Sequence, residues 1–178
     1  MKMNRFYLWL PLLLLSFGSG NVLATNNVRI EFVHPERFSD FRIQGWTETE
    51  SAGIFRNKIS NFLSPTVAQR FPGATLTLKF TDIDLAGRYR WGSVRRFNNV
   101  RFARDFQSPI RLFFDYTLTD PKGRILASGS TGVTNNEYLY HYNYYPLNQR
   151  TDTLFYESVT LDRWVSALTP TNRSVAGK

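Results

Sequence analysis

A ten-residue run of alternating residues constrains the fold of this chain more than any other feature. From Thr75 to Asp84 the sequence reads TLTLKFTDID, and strict alternation places Leu76, Leu78 and Phe80 on one side of an extended chain. Such a pattern is typical of a β-strand that packs one face on a hydrophobic core. A second layer must therefore cover that face of the sheet.

Three further segments are predicted to be strands. Val28–Phe32 (VRIEF) alternates with period two. Pro109–Leu118 and Arg124–Ser128 flank Asp120–Gly123, whose proline and glycine suit a tight reversal, so these two strands should form a hairpin. The small residues of Ser128–Gly132 (SGSTG) then indicate a strand end and a turn, since they lack the pattern of a serine nucleophile.

Two segments have helical periodicity. Apolar residues recur at helical spacing from Ile54 to Leu63, with Ser51 as a plausible N-cap. Pro65 should break this helix and begin a short continuation that ends before Pro72-Gly73. The final helix is predicted from Leu154 to Leu168, with a core-facing stripe. That stripe consists of Leu161, Trp164, Val165 and Leu168.

The order β-α-β-β-β-α predicts an α+β fold, in which a mainly antiparallel β-sheet of about four strands is covered on one face by two helices. We divide the chain into a cleavable signal peptide at 1–24, a single domain at 25–168 and a frayed polar tail at 169–178.

The first 24 residues have the organisation of an export signal. Lys2 and Arg5 precede an apolar block from Phe6 to Phe17, and Val22–Ala24 places small or modest side chains before a cut. The block is shorter than the roughly 20 residues that cross a bilayer, although an uncleaved anchor is the alternative. We expect the mature chain to begin at Thr25 and to have no transmembrane segment.

Composition restricts the chemistry of the exported domain. The chain has no cysteine, which excludes disulfides, zinc–thiolate sites, iron–sulfur clusters and thiol nucleophiles. Residues 1–24 hold two basic and no acidic residues, so the mature chain keeps 20 Lys and Arg against 14 Asp and Glu, a net charge of +6. This charge favours an anionic partner such as an anionic lipid, lipopolysaccharide or an acidic glycan. Nucleic acid is not expected, because it is not the usual partner of exported proteins.

The densest positive charge lies between Arg88 and Arg104, a segment of 17 residues with no acidic side chain. We expect a loop with one extended piece near 100–103. Guanidinium groups bind phosphates and carboxylates as bidentate donors, and adjacent rings can lie at a membrane interface or stack on a ligand. Alternatively, these arginines are solvated or pair with scattered acids. The candidate ligand-binding residues are Arg88, Arg90, Trp91, Arg95, Arg96, Arg101 and Arg104.

Asp82 and Asp84 form a possible carboxylate pair. Residues two apart on a strand share a face, with Cα atoms roughly 6–7 Å apart. Such a pair can act as acid and base on a glycosidic bond or hold a hard cation. Alternatively, the two aspartates pair with Arg88 or cap backbone groups. No metal site and no cofactor are expected, because the two histidines, His34 and His141, lie in distant segments.

Tyrosine dominates the segment before the last helix. Five tyrosines lie between Glu137 and Pro146, and four of them occupy every second position. An extended chain would place those four on one face, where they could stack on sugars or bases, or pack on the sheet. A third possibility is that they complete a complex with another envelope protein. The four residues are Tyr138, Tyr140, Tyr142 and Tyr144.

Four short stretches are distinctive when taken together: Thr81–Gly87 (TDIDLAG), Val100–Asp105 (VRFARD), Pro109–Leu112 (PIRL) and Leu161–Trp164 (LDRW). They resemble the bacterial domain-of-unknown-function family 3016, whose members are small exported proteins found largely in Gram-negative bacteria. The family has no assigned activity, ligand or catalytic residue. The resemblance therefore implies a periplasmic location and one domain, and no specific chemistry.

Together these features favour an exported cell-envelope protein that acts as a non-catalytic binding or assembly module and contacts an anionic envelope component. No nucleophile–base pair, metal cluster or phosphate loop is recognisable, so no catalytic residue is assigned and an enzyme is the less favoured class. The alternative function is a periplasmic hydrolase that uses Asp82 and Asp84.

Overall fold

A computed structural model describes residues 27–43, 46–89, 101–102, 108–138 and 153–170 of the chain. A short 3-10 turn, Pro35–Arg37, follows the first strand. The strands are β1 (Val28–Phe32), β2 (Thr75–Asp84), β3 (Arg88–Tyr89), β4 (Arg101–Phe102), β5 (Ile110–Thr119) and β6 (Ile125–Asn135). The helices are α1 (Glu48–Arg70) and α2 (Phe155–Ala167).

Four of the strands form one mixed sheet in the order β1-β2-β5-β6. β1 runs parallel to β2, since α1 connects them, whereas the β2–β5 and β5–β6 pairs are antiparallel. β3 and β4 pair separately as a two-stranded antiparallel ribbon. The structure confirms the predicted α+β class. It also confirms the order β-α-β-β-β-α for the main sheet and its two helices, and the mainly antiparallel strand pairing.

Both helices cover the same face of the sheet, and a cluster of phenylalanines fills the space beneath α1. The fully buried ring of Phe80, on β2, lies 5.2 Å from the Phe55 ring of α1 and 5.2 Å from the Phe114 ring of β5. Phe32, on β1, contacts the same cluster. From α2, Trp164 packs edge-on against Phe114, with ring centroids 4.9 Å apart.

The alternation of β2 is interrupted by a β-bulge, which corrects the prediction of a strict pattern over the whole run. Phe80 pairs with Phe114 and Asp82 with Phe113, so Thr81 is an extra residue in the strand. After the bulge Ile83 takes the buried position, and Asp82 and Asp84 move to the open face of the sheet. Strict alternation would have placed both aspartates on the core side.

Helix α1 begins earlier than predicted. Its N-cap is Thr47, and Thr47 and Glu50 form a capping box in which each side chain bonds the other residue's backbone N–H. Ser51, the predicted cap, is instead buried inside the first turn. Its hydroxyl accepts the Ile43 N–H and donates to the Thr47 carbonyl, which ties the preceding loop to the helix.

The predicted break of this helix at Pro65 is wrong, because α1 continues through the proline to Arg70. A proline inside a helix removes one backbone hydrogen bond and costs roughly 3 kcal/mol. Here Leu63 and Val67, on either side of the proline, are both fully buried on one face, and Pro65 is on the exposed side. The continued apolar stripe offsets the local loss.

The predicted β5–β6 hairpin is confirmed, and Asp120 organises its turn. The Asp120 carboxylate accepts the backbone N–H groups of Lys122 and Arg124 at 2.9 and 2.8 Å, and the Arg124 N–H in particular lowers the pKa of this carboxyl. Gly123 has φ of +79°, a conformation that favours glycine.

β6 does not end in a turn at Ser128–Gly132, as predicted, but continues to Asn135. The glycines of this stretch lie opposite large rings of β5, because Gly129 pairs with Tyr116 and Gly132 with Phe113. A Cβ atom at position 132 would lie 2.6 Å from the Phe113 ring. The small residues therefore make room for aromatic rings within a strand.

The predicted last helix is confirmed as α2. Leu154, with φ of +67°, is its N-cap, and Leu168 is its C-cap. Of the predicted stripe, Leu161, Val165 and Leu168 are buried, and Trp164 is partly buried against β5. Of the predicted frayed tail, residues 171–178 lie outside the described residues.

We expect the capping box to give α1 a pH-dependent contribution to stability. The Thr47 N–H donates to Glu50 and lowers the pKa of that carboxyl, so the stabilisation is present above the ordinary glutamate pKa and is lost as the pH falls through the lowered value. Glu50→Ala should lower the thermal midpoint by a few degrees at pH 7. Scanning calorimetry should show this difference shrinking in acid.

Glu48→Ala is the matched control, because Glu48 is exposed and acidic in the same first turn but is not part of the capping box. An equal loss for both variants, unchanged by pH, would contradict a role for the box.

Candidate functional site

The first residues of the arginine-rich segment pair with residues near its end, as strands β3 and β4. β3 pairs with β4, with Arg88 opposite Phe102 and Tyr89 opposite Arg101. Two of the candidate residues, Arg88 and Arg101, thus have neighbouring backbones, and the extended piece expected near 100–103 is present as β4. The remaining candidates lie outside the described residues: Arg90, Trp91, Arg95, Arg96 and Arg104.

The first turn of α2 fixes the entry to this ribbon. Glu157 is 3% exposed, and its carboxylate accepts the backbone N–H of Ala86 at 2.8 Å. Gly87 follows with φ of +78°, which turns the chain from β2 into β3. A carboxylate in the first turn of a helix is also stabilised by the helix dipole. Glu157 therefore holds the segment just before Arg88 against the body of the domain.

Near the other end of the arginine-rich segment, Tyr138 connects the chain before β5 to the first turn of α2. The Tyr138 ring is buried against Tyr156, the residue before Glu157, with centroids 5.1 Å apart. Its hydroxyl donates to the Ser108 carbonyl at 3.2 Å, just before β5. We call Ala86, Ser108, Tyr138, Tyr156 and Glu157 the ribbon base.

The sequence pattern does not single out Glu157 as a buried residue, because acidic residues are common in the first turn of a helix. Its position four residues before the buried Leu161, on the same helical face, was an available signal for burial. Tyr138 was predicted as one of four tyrosines on a shared face, and it packs in the core of the base. The other three, Tyr140, Tyr142 and Tyr144, lie outside the described residues.

Asp82 links β2 to the loop that follows β1. One carboxylate oxygen accepts the backbone N–H groups of Ser39 and Ile83 at 2.7 and 2.9 Å, and the other accepts the Ser39 hydroxyl at 2.8 Å. This arrangement matches the alternative in which the carboxylate caps backbone groups.

Asp84 has a separate environment on the same open face. It lies opposite Arg111 on β5, and the two side chains form an ion pair at 3.6 Å. A backbone bridge also joins Asp84 to Asp40. The structure thus places the two aspartates on one face, each with its own partners.

The described residues contain no group of three or more histidine, aspartate or glutamate side chains that could hold a metal ion. His34 is exposed, and its Nδ1 atom lies 3.2 Å from a carboxylate oxygen of Glu36. His141 lies outside the described residues. In the part of the chain that the structure describes, no helix has the length and apolar character needed to cross a membrane.

Comparison with known proteins identifies a family but no characterised relative. No curated protein matches the chain, and no solved structure matches it. The model of one family, described as "Protein of unknown function (DUF3016)", matches residues 26–167. The match covers most of the chain and includes every described helix and strand, so the chain belongs to the DUF3016 family of proteins of unknown function.

Proposed function

We propose that this protein is exported to the cell envelope and acts there as a non-catalytic binding module for an anionic component, through the segment Arg88–Arg104. The observation that carries this proposal is the pairing of Arg88–Tyr89 with Arg101–Phe102. This pairing brings the backbones of Arg88 and Arg101 together, within a segment that has six arginines and no acidic residue.

Two of the six arginines, Arg88 and Arg101, have neighbouring backbones in this pairing. The sequence of the segment adds four more arginines within 17 residues. Concentrated positive charge attracts anions and is stabilised when an anionic partner relieves its repulsion.

The geometry of the aspartates favours binding over hydrolysis. Both carboxylate oxygens of Asp82 accept hydrogen bonds from Ser39, which is 43 residues away in the chain, and Asp84 pairs with Arg111. These contacts give each carboxylate a structural role. The periplasmic hydrolase that uses Asp82 and Asp84 is thus the less favoured function.

Co-sedimentation with vesicles tests the proposal. We expect the exported protein to pellet with vesicles that contain phosphatidylglycerol or lipopolysaccharide, and not with vesicles of phosphatidylcholine alone. An Arg90→Ala, Arg95→Ala, Arg96→Ala triple variant should lose most of this binding. Binding by the wild type should weaken markedly between low and physiological ionic strength, because salt screens exposed charges.

A control variant with the same loss of charge is Arg29→Ala, Lys79→Ala, Lys122→Ala, since all three side chains are exposed and lie on β1, β2 and the β5–β6 turn. It should bind nearly as well as the wild type. Equal losses by the two triple variants would mean that only total charge matters, and an absence of binding at low salt would refute the proposal.

A further inference from the structure

A groove lies between the end of β6 and α2, and none of its lining residues belongs to the ribbon base. Its volume is about 480 Å³, within the range of roughly 300–1,000 Å³ that is usual for small-molecule sites. It is open to solvent, and its lining mixes hydroxyl, amide, charged and aromatic groups. Its lining residues include Thr134, Asn136, Glu137, Thr160, Arg163 and Trp164.

Several polar groups of this groove have no hydrogen-bond or ion-pair partner among the residues that the structure describes. Arg163 and Glu137 have opposite charges and line the same groove, yet within the described residues neither side chain forms an ion pair or a hydrogen bond. The indole N–H of Trp164 likewise donates to no acceptor there. β6 is the edge strand of the described sheet, so alternate backbone groups point away from β5. The groove thus offers both donors and acceptors to a ligand.

The walls of the groove are held in place from behind. The Asn135 side-chain amide donates to the Thr160 hydroxyl at 2.8 Å, and that hydroxyl donates to the Tyr156 carbonyl at 2.7 Å. The Trp164 ring is packed against Phe114 and Tyr116 of β5. A ligand would therefore meet preformed walls, which lowers the entropy lost on binding.

We propose that this groove binds a short neutral glycan. Sugar hydroxyls both donate and accept hydrogen bonds, so they can satisfy Glu137, Arg163 and the amide of Asn136 together. The apolar face of a sugar ring can pack on the exposed part of Trp164. The opposite charges of Glu137 and Arg163 offset each other, so the groove has no net preference for a cationic or an anionic ligand. The site is thus distinct in chemistry from the arginine-rich segment.

Titration calorimetry of the exported protein with chitotetraose, maltotetraose and tetra-alanine tests this inference. We expect at least one tetrasaccharide to bind and tetra-alanine not to bind. Arg163→Gln and Glu137→Gln should each weaken glycan binding about tenfold, which corresponds to about 1.4 kcal/mol, since each replaces a charged hydrogen-bonding group by a neutral one. Trp164→Phe should also weaken it, while leaving a ring to pack on Phe114.

The matched controls are Arg29→Gln and Glu31→Gln, which change exposed residues of the same types on β1, and Trp46→Phe, at another exposed tryptophan. All three should bind as the wild type does. The Arg90, Arg95, Arg96 triple variant should also keep glycan binding, which separates this site from the proposed anion site. Circular dichroism should show that every variant is folded.

Three outcomes would overturn the inference: no binding of either tetrasaccharide, a preference for tetra-alanine, or wild-type glycan affinity in all the groove variants.

Discussion

Replacement of Phe80 by alanine should lower the free energy of unfolding by about 3–5 kcal/mol, as expected for a phenylalanine removed from a packed core. The Phe80 side chain is 0% exposed, and its ring contacts those of Phe32, Phe55 and Phe114. These rings come from β1, α1 and β5, so the cavity would lie where the sheet meets α1. Surrounding side chains can fill such a space only in part.

Phe113→Ala is the matched control, because Phe113 lies on the neighbouring strand and is 42% exposed on the opposite face. Its ring covers Gly132 across the strand pair. Cross-strand pairs of this kind contribute about 0.2–1 kcal/mol, so the control should lose at most about 1 kcal/mol. Urea unfolding of both variants measures the difference. Equal losses would show that Phe80 is not central to the core.

The main sheet was predictable because local patterns determine most of it. The alternation of β2, the turn at Asp120–Gly123 and the stripe of α2 each indicate an element without any distant partner. The bulge at Thr81 is different. Its effect is to bury Ile83 beside Phe80 and to expose Asp82, which then reaches Ser39. Such a bulge depends on partners 43 residues away, which the local pattern does not contain.

The errors at α1 and β6 have tertiary causes. Residues 48–53 contain no large apolar side chain, so periodicity indicates a later start, although Thr47 and Glu50 carry the capping-box pattern. Pro65 and the glycines of β6 are breakers by propensity alone. Packing decides otherwise, because Val67 is buried beyond the proline and the ring of Phe113 occupies the space over Gly132.

Some features of the candidate site can be predicted from the sequence, and others require the folded structure. The density of arginine between Arg88 and Arg104 is visible in the sequence, whereas the pairing that closes the segment requires the fold. The groove beside Trp164 joins residues of β6 and α2 that are about 30 positions apart. Trp164 is part of a helical stripe in the sequence, and this pattern does not reveal that its ring also reaches a polar groove.

A substitution in the ribbon base can test both the stability of the fold and the placement of the arginine-rich segment. Glu157 is buried at the start of α2, and its partner Ala86 lies two residues before Arg88. Removal of the carboxylate would leave a buried N–H without this acceptor. It would also remove the hydrogen bond that holds Ala86 against α2. We therefore expect the change to affect both the stability of the domain and the position of β3, which begins at Arg88.

Glu157→Ala should therefore lower the free energy of unfolding by about 1–3 kcal/mol, the usual cost of an unsatisfied buried donor, and should weaken binding to anionic vesicles. Glu157→Gln should lose less stability, because its amide oxygen can still accept the Ala86 N–H. Glu137→Ala, which removes an exposed glutamate, should change stability by at most about 0.5 kcal/mol. Urea unfolding and hydrogen exchange at the Ala86 amide measure these effects. Unchanged exchange at Ala86 in the alanine variant would show that Glu157 does not hold the ribbon, and the arginines would then be positioned by other contacts.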